Sequence, residues 1–228
     1  MIVVAPGPLG EPAARLLAQL AARGVTLHAD PLRLPAGAEP VTLAVSDGPF
    51  VLDLLALVRA LGGRPFRVLV LSRLGAHPDA RADSLRRLWR LEEHVRGGGA
   101  PTLTLRTAPL VGPDSPLWRK LRARPGLPRG GRKIVNPVLE ADVVETLARA
   151  LAERVPWSGW YELAGPDAVT LAELSARATG SPGPTAGGAW EPPLEEMLEH
   201  RLAECAPWAV RFALTPTPLA AWAGREVA

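Results

Sequence analysis

Short apolar runs alternate with segments of helical spacing along residues 1–165, and this alternation constrains the fold more than any other feature. The clearest run, FRVLVLS at residues 66–72, is apolar at nearly every position, as a strand covered on both faces should be. Chains in which strands alternate with helices of about ten to fifteen residues form βαβ units with parallel strands. The sequence therefore predicts an α/β fold, a doubly wound parallel sheet with a small C-terminal helical piece.

The hydrophobic periodicity also gives the approximate bounds of the elements. It predicts six strands, at residues 2–5, 25–29, 41–45, 66–72, 101–107 and 160–165. It predicts helices at residues 13–23, 50–61, 83–95 and 142–154, and a further helix at residues 194–205. The Gly- and Pro-rich stretch 179–193 is typical of a linker or surface loop. We therefore divide the chain into a main domain, residues 1–165, and a small cap region, residues 166–228.

Composition and charge narrow the class of protein. The chain has 228 residues, of which 47% are hydrophobic and 21% charged, as expected for a folded domain. Its formal charge of +3 comes from well-mixed acidic and basic residues, which disfavours a nucleic-acid partner. The single cysteine, Cys205, excludes an internal disulfide and a cysteine metal cluster, and no metal-ligand spacing occurs. Without a basic leader or a run of about twenty apolar residues, we expect a cytoplasmic protein without membrane contact; a homo-oligomer is left open.

The first predicted turn carries a pair of glycines. Gly7 and Gly10 follow the first strand, and Ala13 adds a third small residue as the helix begins. In a doubly wound sheet this turn lies at the carboxyl ends of the strands, where free helix amides hold a pyrophosphate. Asp30 ends the second strand about twenty residues later, where a carboxylate binds the ribose hydroxyls of NAD, whereas Arg33 suits the 2′-phosphate of NADP. The pattern predicts a dinucleotide site without deciding between NAD and NADP.

Simpler interpretations of these residues stay open. Gly7 and Gly10 also suit a plain tight turn, and Asp30 suits an ordinary exit from a strand. Glu11 places a carboxylate where a phosphate would approach, and Pro8 removes a backbone donor from the turn. A dinucleotide therefore requires the Glu11 side chain to point away from the turn.

The middle of the chain resembles a known family. The segment RVLVLSRLGAHPDARADSLRRLWRLEEHVRGGGAPTLTLRTAPLVGPDS, with NPVLEADVVETLARAL and GWYELAGPDAVTLAEL after it, is similar to the atypical and extended short-chain dehydrogenases. The likeness is to their nucleotide-sugar epimerase-like branch, which includes the complex I 39-kDa-subunit-like proteins. It covers most of residues 1–175 and implies a Rossmann sheet that binds NAD(P)(H) within residues 1–165.

The resemblance also implies, by position, which residues hold the cofactor. They follow the ends of the first five strands: Gly7, Leu9, Gly10, Asp30, Ser46, Asp47, Ser72, Thr107, Ala108, Pro109 and Leu110. The segment Ser46-Asp47-Gly48 departs from the small apolar residues usual in the family. Asp142 stands where the family has an acid, although capping of the helix that follows is the preferred interpretation.

The catalytic pair of that family is missing from the sequence. Its dehydrogenases and epimerases use Tyr-x-x-x-Lys, and counting along the resemblance brings these two positions to Ser84 and Leu88. The chain has one tyrosine, Tyr161, and the residue four positions later is Gly165. The catalytic residues therefore stay unknown.

Three other features have open roles. His77 and His28 are candidates for proton transfer near the predicted site, or ordinary loop histidines. Residues 119–133 hold seven basic residues, which suit a phosphorylated or nucleotide-sugar ligand or form a solvated loop.

Taken together, the sequence predicts an NAD(P)(H)-binding protein, a divergent oxidoreductase of the epimerase-like type. The alternative is a non-catalytic cofactor sensor, similar to NmrA-like regulators, or a structural scaffold.

Overall fold

A parallel six-stranded sheet forms the centre of the computed structural model, which describes residues 2–5, 9–29, 34, 40–46, 59–123, 126–152, 157–180 and 194–223. Its strands are β1 (Ile2–Val4), β2 (Thr26–His28), β3 (Val41–Val45), β4 (Phe66–Arg73), β5 (Thr102–Thr107) and β9 (Trp160–Leu163). They lie in the order β2-β1-β3-β4-β5-β9. The chain crosses to the other side of β1 between β2 and β3, so the switch point of the sheet lies there. The predicted α/β fold with a Rossmann-like parallel sheet is confirmed.

The remaining elements of the described chain are short strands and helices. The strands are β6 (Leu110–Val111), β7 (Ile134–Val135), β8 (Val138–Leu139) and β10 (Val169–Thr170). The helices are α1 (Glu11–Ala21), α2 (Asp83–Gly97), α3 (Pro116–Arg122), α4 (Glu140–Leu151), α5 (Leu171–Thr179), α6 (Ala206–Arg211) and α7 (Leu219–Ala223). The predicted helix at residues 50–61 lies largely outside the described residues.

Local sequence explains where two of these helices begin. α1 starts directly after Gly10 with Pro12 in its first turn, where the missing N–H of proline costs nothing. α5 begins with a capping box, in which the Thr170 side chain accepts from the Glu173 amide and the Glu173 carboxylate accepts from the Thr170 amide. It ends at Gly180, whose φ of 69° lies in the left-handed region that glycine adopts without strain.

The main apolar cluster, called here the sheet core, covers one face of the sheet. It combines strand residues with the apolar faces of α1 and α4, including Leu16, Leu20 and Leu147. Trp208 of α6 and Phe212, the residue after that helix, also belong to it, and both are fully buried. The other face of the sheet packs against α2 through Val95.

A second apolar cluster, called here the cap cluster, lies beside the sheet core. It draws on residues 111–139 and 169–222: Val111, Leu117, Trp118, Leu121, Leu127, Val135, Leu139, Val169, Leu171, Leu174, Leu194, Met197, Leu219 and Trp222. Within these segments β6 pairs with β8, and β7 pairs with β10. The cluster thus combines chain from both sides of residue 165, and a domain division at that residue stays a prediction.

The predicted helix at residues 194–205 is wrong. Only Glu195–Leu198 form a single 3₁₀ turn in this part of the described chain. The Arg201 amide donates to the Ile134 carbonyl at 3.0 Å, and the Asn136 amide donates to the Arg201 carbonyl at 3.2 Å. These backbone groups pair with β7 and the residue after it, so they cannot form the hydrogen bonds of a helix. The amphipathic spacing of the segment therefore does not produce one.

Candidate functional site

A cleft of about 260 Å³ lies at the carboxyl edge of the sheet. The start of α1, Gly10 to Pro12, and residues 107–110 at the end of β5 line it, and they are called here the helix-side lining. Arg73 and Leu74 at the end of β4, with Glu196, Met197 and Arg201, also line it and are called the cap-side lining. A ligand of an open α/β sheet binds at this edge, next to the switch point.

The helix-side lining includes the first residues of α1. The first i to i−4 hydrogen bond runs from the Ala14 amide to the Gly10 carbonyl at 3.1 Å. The amides of Glu11 and Ala13 belong to the turn before that bond, whereas Pro12 has no N–H. Since the N-cap residue is Gly10, it offers no side chain to compete for these donors. Such a turn attracts an anion through its amides and the helix dipole.

The Glu11 carboxylate at this turn has a cationic partner. It forms an ion pair with Arg119 of α3, and both side chains are more than half exposed. The negative charge that the sequence places beside a phosphate is therefore balanced by a cation from the basic segment. The pairing offsets the charge that would otherwise repel a phosphate at this turn.

The position of α1 is fixed by a buried acid of α4. Arg15 donates from Nε and Nη2 to the two carboxylate oxygens of Glu140, at 3.2 and 3.1 Å, and Gln19 donates to the same carboxylate at 3.4 Å. The hydrogen bond to Glu140 raises the pKa of Arg15, against the lowering effect of burial. Because Glu140 is buried, the pair locks α1 against α4 and holds its first turn at the cleft.

The residues after β5 form the other part of the helix-side lining. Thr107, Ala108, Pro109 and Leu110 all line the cleft and are all buried. The Thr107 hydroxyl donates to the Ser72 carbonyl at 3.2 Å, and the Ala108 amide donates to the Leu163 carbonyl at 2.8 Å. These bonds fix the backbone as it leaves the sheet. The structure thus brings Thr107, Pro109 and Leu110 together with Gly10.

The predicted residues Leu9, Ser46 and Ser72 lie elsewhere. Leu9 packs against the sheet core, and the Ser46 hydroxyl donates to the Leu71 carbonyl at 2.7 Å. The buried Ser72 hydroxyl donates to Glu92 of α2 at 2.5 Å. Gly7, Asp30, Arg33 and Asp47 lie outside the described residues. Their assignment to a cofactor stays a prediction.

Ser72 belongs to a polar network beneath the sheet. Ser72, Arg106 and Glu162 lie in register on three adjacent strands, and Arg106 donates to both oxygens of the buried Glu92, with its shortest bond at 2.6 Å. Burial raises the pKa of Glu162; Arg106 opposes this shift and the Glu92 charge adds to it. The Arg106 guanidinium also lies 4.6 Å from the centre of the Trp160 ring. This network ties α2 to the sheet and does not line the cleft.

The cap-side lining contains a buried ion pair that the sequence did not predict. Glu196 pairs with Arg73 and accepts a hydrogen bond from the Ser84 hydroxyl at 2.8 Å. Ser84 and Leu88, the counted positions of the family's tyrosine and lysine, are both buried on α2. Glu196, from the cap, therefore places a carboxylate oxygen against Ser84. No local signal marks it, because contacts between residues 73, 84 and 196 leave no spacing pattern in the sequence.

Arg201 is the second cation of the cap-side lining. It is 5% exposed, and its Nε has no hydrogen-bond partner among the described residues. Its Nη2 reaches the Glu199 carboxylate only at 3.4 Å, and its Nη1 donates to the His200 carbonyl at 3.2 Å. The guanidinium packs directly on Gly75, where a Cβ would lie 2.8 Å from its Cζ.

The other candidate residues lie outside the cleft. The His77 side chain is 64% exposed and accepts from the Asp79 amide, and His28 ends β2 at the sheet edge. Tyr161 packs edge-on against Phe212, with ring centroids 5.3 Å apart. Asp142 lies within the first turn of α4 and does not cap it. Its carboxylate accepts from the Thr217 amide and hydroxyl at 2.8 and 2.9 Å, which ties the C-terminal segment to α4.

The basic segment of the chain reaches the cleft through Arg119. Residues 119–133 include the second half of α3 and a single turn at Pro128–Gly131, and Arg119 connects them to Glu11 at the cleft. The described residues bring together no group of three His, Cys, Asp or Glu side chains suited to a metal. Within the same residues, no helix has the length and apolar character needed to cross a bilayer.

Comparisons with known proteins identify the architecture. No family model matches the sequence, and no curated protein sequence matches it. Among solved structures, the ADP-L-glycero-D-manno-heptose-6-epimerase of Helicobacter pylori is 12% identical with a TM-score of 0.67, over 99% of this chain and 94% of that one. The NADPH-dependent quinone oxidoreductase of Escherichia coli, complexed with NADPH, is 18% identical with a TM-score of 0.67 over 100% of both chains.

A third similar structure contains a sugar nucleotide as well as a cofactor. MoeE5 in complex with UDP-glucose and NAD is 18% identical with a TM-score of 0.59, over 100% of this chain and 99% of that one. At such identities the likeness concerns the fold. This chain shares the Rossmann-like fold of these three structures.

Proposed function

We propose that this protein binds NAD(P)(H) in the cleft at the carboxyl edge of its sheet. The observation that carries the proposal is the first turn of α1, whose amides lie beside the switch point while the Glu11 carboxylate pairs with Arg119. Similar structures hold NADPH or NAD, which supports a dinucleotide as the ligand. NAD and NADP are both compatible with the chain.

The residues of the cleft fit the middle of a dinucleotide. The amides of Glu11 and Ala13 would hold the diphosphate, and the apolar residues from Ala108 to Leu110 would face the nicotinamide half. Asp30 and Arg33 remain the predicted contacts of the adenosine half. A bound nicotinamide would accept or donate a hydride, and the buried residues 107–110 would keep water from it.

Tryptophan fluorescence provides the direct test of this proposal. With seven tryptophans, energy transfer to bound NADH or NADPH reports binding without a known substrate. Gly10→Asp places a carboxylate at the N-cap, whereas Gly10→Asn places a neutral amide of the same size there. Both residues are good N-caps, so both variants should fold.

We expect Gly10→Asp to weaken cofactor binding about tenfold or more, because a charged group meets the diphosphate. Gly10→Asn should retain much more of the affinity. Equal affinities in the two variants, or no binding of either cofactor at millimolar concentration, would overturn the proposal and leave a structural scaffold.

A divergent oxidoreductase and a non-catalytic cofactor sensor are the two finer forms of this function. The sensor is favoured by one observation: Ser84 and Leu88 occupy the counted tyrosine and lysine positions, and Tyr161 packs on Phe212. Oxidation of bound NADH by a panel of quinones and sugar-nucleotide ketones, measured at 340 nm (the wavelength at which reduced nicotinamide absorbs), separates the two forms. Turnover would establish the oxidoreductase.

The remaining parts of the proposal concern partners, location and domains. The basic residues 119–133 support a phosphorylated or nucleotide-sugar ligand near the cleft, as in the MoeE5 complex. The single cysteine supports a reducing, cytoplasmic setting. Residues 1–165 would form the cofactor-binding domain and residues 166–228 the cap.

A further inference from the structure

Arg201 is a buried cation whose charge and hydrogen-bond donors are only partly matched by neighbouring groups. Its side chain is 6% exposed, yet its ion pair with Glu199 is long, at 3.4 Å, and its Nε is without a partner among the described residues. A buried charge is stable only when it is paired and hydrogen-bonded, so this guanidinium has capacity for a further anion. It lines the cleft, which gives an anion a route to it.

The backbone holds Arg201 firmly at this position. Its amide and carbonyl both bond to the segment around β7, and His200 beside it accepts from the Ile134 amide at 3.0 Å. The guanidinium rests against Gly75, where φ is 89° and a side chain would collide with it. The cation is thus preorganised, which lowers the entropic cost of binding a ligand.

The rest of the cleft is mostly apolar. Leu74, Ala108, Leu110, Leu117 and Met197 line it beside the charged residues. A ligand that satisfies both features has one charged end and an apolar body.

The neighbouring charges favour a single negative charge over two. Besides Arg201, the cap-side lining has Arg73 and Glu196, which pair with each other, and Glu199 stands beside the Arg201 guanidinium. A dianionic phosphate would meet repulsion from both carboxylates, whereas a monoanion balances the under-compensated charge of Arg201. The planar guanidinium also matches a carboxylate in shape.

We propose that the cleft binds a carboxylate with an apolar body, and that its carboxylate group is held by Arg201. If this ligand is the substrate of the protein, the proposal rests on the proposed function. Binding of the carboxylate itself needs no cofactor. It assigns Arg201 as a specificity-determining residue.

Calorimetric titration of the full chain with 4-methylpentanoate tests the proposal, with 4-methylpentanamide as the neutral ligand of the same shape. We expect the carboxylate to bind saturably and the amide at least about tenfold more weakly. Arg201→Met should weaken the carboxylate by a similar factor. Arg211→Met, which removes an exposed arginine from α6, is the matched control and should leave the affinity unchanged.

Glu199→Gln gives a result that a purely structural role for Arg201 would not give. Because the variant removes a competing carboxylate from Arg201, it should tighten the binding of 4-methylpentanoate. Equal affinity for the acid and the amide, unchanged affinity in Arg201→Met, or tighter binding of inorganic phosphate would each overturn the proposal. NADH binding by Arg201→Met is measured in parallel to separate the two proposals. If only the carboxylate site is wrong, the protein still binds NADH. If only the cofactor site is wrong, it still binds 4-methylpentanoate.

Discussion

The sheet core and the cap cluster differ in how their packing partners are distributed along the chain. In the sheet core, α1 directly follows β1 and buries four residues of its apolar face against the sheet. In the cap cluster, Trp118 of α3 packs on Trp222 of α7, with ring centroids 4.5 Å apart although the two helices are distant in sequence. The sheet core is therefore largely encoded in neighbouring segments, and the cap cluster depends on a few long-range ties.

The largest effect is expected at the junction of the two regions. Gly165 exchanges hydrogen bonds with Asn136, and a Cβ there would collide with the Pro137 carbonyl oxygen. Since that oxygen belongs to the backbone, it cannot yield easily. Gly165→Ala should lower the free energy of unfolding by about 3 kcal/mol or more, measured by urea denaturation.

Gly97→Ala is the matched control for this substitution. Gly97 ends α2, and a Cβ there meets no atom within 4 Å. The change should be neutral or stabilising by up to about 1 kcal/mol. If both variants unfold at the same urea concentration, the close junction between sheet and cap is not a constraint.

An intermediate effect is expected from the buried tie between β4 and the cap. Glu196→Ala removes the carboxylate between Arg73 and Ser84 and should cost about 2 kcal/mol, because a largely buried guanidinium and a buried hydroxyl lose the carboxylate that they share. Glu11→Ala breaks the exposed pair with Arg119 and should change stability by less than about 0.5 kcal/mol. Thermal unfolding of both variants, at low and high salt, compares the two pairs. Equal losses would show that burial does not distinguish them.

The smallest effect is a difference in pH dependence between the two regions. Burial raises the pKa of Glu162 in the sheet above its ordinary value of 4.5. The folded protein then keeps this proton while the unfolded chain releases it, so stability present below the ordinary pKa is lost as pH rises through the folded pKa. Glu162→Gln should therefore be more stable than the native chain at pH 7, by less than about 1 kcal/mol, with no gain in acid.

Glu173 in the cap should behave in the opposite way. Hydrogen bonds from the Thr170 backbone and side chain lower its pKa. Its contribution is present above the ordinary pKa and is lost as pH falls through the folded pKa, so Glu173→Gln should be less stable at pH 7. Urea denaturation of both variants between pH 3 and pH 7 checks the two signs. Parallel curves for the two variants would contradict these assignments.

The parts of the fold that the sequence predicted are those with local signals. The strand at Val41–Val45 has its predicted bounds, and the other five predicted strands of the sheet differ from the observed ones by one or two residues at their ends. The turn at Gly10 was predicted as part of a site, and the structure places it in the cleft with Thr107, Pro109 and Leu110. Each of these features depends on hydrophobic spacing or on turn residues within a few positions.

The parts that the sequence did not predict depend on distant contacts. Residues 194–205 have helical spacing, but pairing of the Arg201 backbone with the segment around β7 prevents the helix. Glu196 and Arg201 reach the cleft because of this pairing, so their position follows from tertiary structure. Asp142, expected to cap a helix, binds Thr217 instead, a partner that no local pattern indicates.

Trp208 attaches the C-terminal segment to the sheet core, which determines how the protein responds to proteolysis and truncation. Its ring is fully buried in the sheet core, and its indole N–H donates to the Ala164 carbonyl at 3.2 Å. A protease cut between residues 180 and 194 should therefore leave two fragments that copurify as one folded particle. A chain ended before residue 206 would instead uncover the apolar surface beneath that ring and aggregate.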